Sequence, residues 1–202
     1  MKIIRDITEN EFVSEFLKGE IDSLRFGATI REISKRDHKN TSVVTNPDLK
    51  SEIENKYRAE LLAEFRGFGR NTYLFPGFPS DTKWKRAYMD HGDFAKIKYC
   101  KFWAWVEMSE GSRRPADGVK NIMKGKCVEG IDNDSVLKLA KMIMDGTLPP
   151  PMILVSTQDN EGFVVLEGHT RITAFMLAAE HIPKEVEVII GLSERMDRWR
   201  FY

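Results

Sequence analysis

The 202 residues hold 31 basic and 31 acidic side chains and are 42% hydrophobic, the balance of a globular chain that can bury a core without disulfide staples. A formal net charge of zero gives the chain no overall field to draw it onto nucleic acid, and no apolar run approaches the roughly 20 residues of a membrane span. Cys100 and Cys127 are too few for a disulfide framework and lack metal-ligand spacing, so both are read as buried or idle thiols and no protein metal site is expected.

The opening MKIIRDITENEF carries acids early and no small-residue cleavage site behind a long apolar stretch, so the expected location is the cytoplasm. ENEFVSEFLKGEI sets Phe12, Phe16 and Leu17 at helical spacing, and NPDLKSEIENKYRAELLAEFRG runs from a cap-like Asn46-Pro47 to a stop at Gly67. In this second amphipathic helix Ile53, Tyr57, Leu61 and Phe65 form the expected buried face, with Arg58 and Glu64 outside it. The Gly-, Pro- and aromatic-rich stretch from Phe68 to Trp84 reads as an ordered loop and a candidate lid.

From residue 94 an aromatic-rich run of undetermined type passes through the turn SEGSRR, residues 109–114, into a helix. A further helix follows, with Val136, Leu139, Ala140 and Ile143 inward and a stop at Gly146. Three prolines lead into the strand MILV, Asn160 to Gly162 signal a turn, and FVVL completes a hairpin. The polar turn Glu167–Arg171, an Ala-containing helix and the strand VEVIIG close the order. The expected fold is α+β: a small mixed sheet with helices in residues 94–202, plus a mainly helical region in residues 1–93. The terminal RWRFY is expected to dock on its own domain rather than stack on bases.

The polar turn is the chemical candidate. A strand-to-helix join presents unpaired backbone N–H groups and the positive end of the helix dipole. Gly168 permits close approach, the amides of His169 to Ile172 can converge on a phosphate, Thr170 supplies a hydroxyl and Arg171 a forked guanidinium. Glu167 would repel an anion. It has three candidate roles: holding Mg2+ that bridges phosphates, accepting a proton from an attacking hydroxyl, or pairing with Arg171 or Arg113. His169 is a candidate phosphate contact or proton shuttle. Ser109, Gly111, Ser112 and Arg113 repeat the hydroxyl, glycine and arginine pattern and form a candidate second wall.

The stretch LPPPMILVSTQDNEGFVVLEGHTRITAFMLAAEHIPKEVEVIIG resembles the core of the ParB/sulfiredoxin superfamily, with the match spanning residues 147–192. The resemblance implies nucleotide phosphates held at Gly168, His169, Thr170 and Arg171, with Glu167 at the acidic position before the glycine. Sulfiredoxins place a reactive cysteine directly before a His-Arg pair, and this turn has none, so sulfinic acid reduction is not expected. Only 11 residues follow Gly191, so the DNA-binding region of partition proteins is not expected either.

The leading expectation is a protein that binds a nucleotide (ATP, ADP or CTP, with Mg2+) or another phosphorylated small molecule, with phosphoryl transfer or nucleotide hydrolysis as its reaction. The alternative is a non-catalytic regulatory module that binds DNA or protein, DNA being the less favoured partner. A third reading makes the turn a structural cap in which Glu167 and Arg171 satisfy each other.

Overall fold

Two apolar runs, Met152–Ser156 and Val186–Leu192, form neighbouring parallel strands whose side chains alternate between two cores. The computed structural model describes residues 1–157 and 162–202. Its strands are β1 (Lys2–Ile7), β2 (Lys83–Met89), β3 (Ile97–Lys98), β4 (Met152–Ser156), β5 (Phe163–Glu167) and β6 (Val186–Leu192), in one six-stranded mixed sheet of order β1-β2-β6-β4-β5-β3. The helices are α1 (Glu9–Glu20), α2 (Gly27–Arg36), α3 (Ser42–Thr45), α4 (Glu52–Arg66), α5 (His91–Phe94), α6 (Trp103–Met108), α7 (Pro115–Met123), α8 (Asn133–Met144) and α9 (His169–Leu177). The fold is α+β. Among the described residues, no helix is long and apolar enough to cross a membrane.

On one face of the sheet, Leu154, Val165, Val188 and Ile190 pack with Val136, Ala140 and Ile143 of α8 and Ile172 and Phe175 of α9. On the other, Ile153, Val155, Leu166 and Ile189 meet Phe12 and Phe16 of α1, Ile30 of α2 and Leu61 and Leu62 of α4. Helices α1 to α4 thus cover one face, and α5 to α9 the other. The expected boundary at residues 93 and 94 falls inside this sheet: β1 and β2 precede it, and β2 pairs antiparallel with β6 from Lys83 to Met89. The hairpin of β4 and β5 is antiparallel. Apart from Gly162, its expected turn at Asn160–Gly162 lies outside the described residues.

Two local expectations are corrected. In α4, Ile53 is 76% exposed while Arg58 is 0% exposed. Arg58 turns inward because it finds acceptors there: the carbonyls of Val43 and Asp48, each at 2.9 Å, Glu54 at 3.0 Å, and Asn55. The loop from Phe68 to Trp84 is core rather than lid. Phe68, Phe75, Phe78 and Trp84 pack against each other and against Phe12. The loop is held at its start by Gly67 (φ 83°), where a Cβ would stand 2.1 Å from the Thr72 carbonyl oxygen. The C-terminal segment docks here, with Trp199 Nε1 donating to Leu74 O at 2.7 Å.

Candidate functional site

β5 delivers Glu167 to the edge of a cavity of about 810 Å3, and the chain turns at Gly168 into α9. Gly168 has φ 102°, and a Cβ there would lie 3.2 Å from Met152 Cγ and 3.3 Å from Arg171 Cζ, so the turn requires glycine. As N-cap it has no side chain to offer α9. The first backbone bond runs from Ile172 N–H to Gly168 O at 2.9 Å, and the amides of His169, Thr170 and Arg171 find no acceptor among the described residues. Thr170 lines the cavity beside them.

Arg171 is 7% exposed and committed to the protein. It pairs with Glu167, and its Nη1 donates to the carbonyls of Pro150, at 3.1 Å, and Pro151. Burial lowers its pKa to about 10, which leaves it charged at neutral pH. Gly19 of α1 sits against this pair: a Cβ there would meet Arg171 Nη2 at 2.8 Å and Glu167 Oε2 at 3.0 Å. The Glu167–Arg171 pair is therefore a joint between α1, β5, α9 and the proline segment.

Two further cations, neither of them hydrogen-bonded among the described residues, come from elsewhere. Arg25, in the loop after α1, and Arg66, at the end of α4, both lie on the cavity wall. Their Cζ atoms are 5.0 and 4.3 Å from the centre of the Phe26 ring, which holds both by cation–π attraction. Neither guanidinium makes a hydrogen bond to the described residues, and Arg66 Nε is buried without a partner. The nearest acid to Arg66 is Glu20, whose Oε1 is 3.6 Å from Nη2. Lys18 and Lys138, with the acids Asp22 and Asp132, also line the cavity, and Leu139 and Met142 of α8 give it an apolar wall. Neither Arg25 nor Arg66 stands in a recognisable motif. They are 41 positions apart in the chain, and shared packing on Phe26 brings them together.

His169 is half-buried on the cavity floor, stacked near Trp105 (5.4 Å, 18°) and Tyr99 (6.0 Å, 25°). Its Nε2 lies 3.1 Å from Cys100 Sγ. Thus a thiol does stand at this turn in space, supplied by the segment after β3. Burial first, then the charges of Arg66, Arg25 and Arg113, push the imidazole down to about 3. Burial pushes the Cys100 thiol up to about 11. Both shifts favour the neutral thiol and neutral imidazole over a thiolate–imidazolium pair. With its pKa depressed, neutral His169 contributes stability that is present above the ordinary value near 6.5 and is lost as pH falls toward 3. The His169 ring protons are expected to show no titration between pH 5 and 8 in an NMR pH series of the empty protein. A midpoint near 6.5 would refute the buried setting.

The turn at 109–114 lies apart. Ser109 Oγ donates to Trp105 O at 2.7 Å and accepts from Arg113 N–H at 3.0 Å, while Ser112 Oγ donates to Ser109 O at 2.9 Å. Gly111 and Arg113 take positive φ, 85° and 61°, and Arg113 Nε donates to Tyr99 O at 2.7 Å. None of Ser109, Gly111, Ser112 and Arg113 lines the cavity. They build the connection between α6 and α7, and Arg113 reaches His169 and Cys100 through its charge alone. Among the described residues, no three His, Cys, Asp or Glu side chains cluster as a metal site. A scan against protein-family models, a search of curated proteins and a search of solved structures each found no match to this chain.

Proposed function

We propose that the cavity binds the phosphate groups of a nucleotide or another phosphorylated small molecule. One observation carries this: Arg25 and Arg66 are anchored on Phe26 without a hydrogen-bond acceptor, and face the same cavity as the uncapped start of α9. Arg25 and Arg66 keep donors that no hydrogen bond to the described residues satisfies, although Glu20 lies 3.6 Å from Arg66, and with the α9 amides these favour an anionic acceptor. The volume falls in the range of small-molecule sites, and the apolar wall of Leu139 and Met142 suits a base or another flat apolar group. The resemblance of residues 147–192 to the ParB/sulfiredoxin core points the same way.

Binding is favoured over chemistry. Burial and the neighbouring arginines hold the His169 imidazole well below its ordinary value, which weakens it as a general base, and Glu167 is engaged with Arg171. Mg2+, where present, would arrive on the ligand's phosphates. In a thermal-shift series with ATP, ADP and CTP, each with and without Mg2+, at least one ligand is expected to raise Tm by several degrees. Saturation at about a hundred times Kd corresponds to roughly 2.7 kcal/mol. No shift with any of them at millimolar concentration would overturn the assignment.

A further inference from the structure

The cavity holds one buried acid that the binding site does not need. Glu20, the last residue of α1, is 5% exposed and lines the same cavity as Arg66. Its Oε2 accepts a hydrogen bond from Ser23 Oγ at 3.1 Å, and its Oε1 faces Arg66 Nη2 at 3.6 Å, too far for a hydrogen bond. Arg66 Nε stays unpartnered beside it. The carboxylate therefore supplies charge to Arg66 without satisfying its donors.

Resting on the binding assignment above, we propose that Glu20 is the resident counter-ion of the phosphate site. It holds Arg66 in the empty cavity and yields, taking up a proton, when a doubly charged phosphate group docks. The charged and titratable groups that share its cavity are Lys18 on α1, Asp22 and Arg25 on the following loop, Arg66 on α4, Asp132 at the start of α8 and Lys138 on it, and Glu167, His169 and Arg171 at the β5–α9 join. Asp22 turns to Arg31 at 2.8 Å and Glu167 to Arg171, so neither competes for Arg66. Burial raises the Glu20 carboxyl in spite of Arg66, and burial lowers Arg66 in spite of Glu20. On both sides desolvation outweighs the attraction of the pair, which is the condition for a carboxylate that protonates readily once a second anion approaches.

A preference follows. A singly charged anion such as acetate offers Arg66 no more charge than Glu20 already does, whereas a terminal phosphate or a diphosphate brings two charges and more acceptor oxygens. The site selects dianionic phosphate groups, and its affinity rises as pH falls through the window in which Glu20 takes its proton.

The test is calorimetry of inorganic pyrophosphate binding to the full chain at pH 7.5, in two buffers of different ionisation enthalpy. Wild type, Glu20→Gln and Arg66→Gln are compared after circular dichroism confirms their folding. Glu20→Gln is expected to bind about tenfold tighter, and wild type to take up close to one proton more than the variant, roughly the single-site linkage value. The two affinities should converge as pH is lowered. If Glu20→Gln binds equally or more weakly, with the same proton uptake as wild type, while Arg66→Gln loses binding, the role of Glu20 is overturned and the phosphate site stands. If pyrophosphate binds neither wild type nor Glu20→Gln, both assignments fall. Should Glu20→Gln not fold, the proton uptake of wild type decides: an uptake beyond that of the ligand's own titration supports the role of Glu20, and none overturns it.

Discussion

Replacing Arg58 by alanine is expected to cost about 3–5 kcal/mol of stability, the range for removing one member of a buried charged network. This is a large share of the roughly 5–15 kcal/mol that holds a typical domain together. The guanidinium is fully buried and ties the segment from Val43 to Asp48 to α4. Its loss would leave two carbonyls and the Asn55 side chain short of a donor in a site that water reaches poorly. Arg58→Met would keep much of the stem volume and lose the donors, so it should fall nearly as far. Ile53→Ala, on the exposed face of the same helix, is expected to stay within about 0.5 kcal/mol of wild type. Urea denaturation followed by circular dichroism checks all three. An Arg58→Ala midpoint equal to wild type would show that water or a neighbouring lysine replaces the guanidinium.

The contrast between Arg58 and Ile53 shows where sequence reading runs short. Periodicity reports side-chain polarity along one helix, and the acceptors that make Arg58 an inner residue lie 10 and 15 positions away. The stretch from α8 to β6 was legible because its signals are local. The buried strands Met152–Ser156 and Val186–Leu192 are mainly apolar runs, the second interrupted only by Glu187 and Gly191, and Gly146 and Gly168, both at positive φ, mark the ends between elements. β1 was not legible. It is an exposed edge strand, KIIRDI, without a buried face to impose alternation. The two-residue β3 is too short for any pattern.

The candidate site divides in the same way. The sequence marks the β5–α9 turn because glycine, strand and helix are adjacent there. It also suggests Arg171, since a guanidinium three residues after that glycine is the obvious clamp. The structure gives Arg171 to Glu167 and the proline carbonyls, and brings Arg25 and Arg66 to the cavity through Phe26. Such a pairing has no local signature.

Arg66→Gln is accordingly expected to lose the most affinity of any single exchange around the cavity. Removing a partly buried charged donor from an anion costs about 2–5 kcal/mol, or roughly 30- to several-thousand-fold in Kd. Arg25 is exposed at the rim, where salt screens it, so Arg25→Gln should weaken binding only about 3- to 30-fold and flatten the dependence on ionic strength. Arg113 lies outside the cavity, and Arg113→Gln should leave Kd within about threefold, the effect of a distant screened charge. Titration of the ligand that gives the largest thermal shift, at 50 and 300 mM salt, ranks the three. Arg113→Gln losing more than Arg66→Gln would move the anion to the 109–114 turn. Equal small losses at Arg25 and Arg66 would leave the amides of α9 as the main contact, because their donors face the cavity with no acceptor among the described residues.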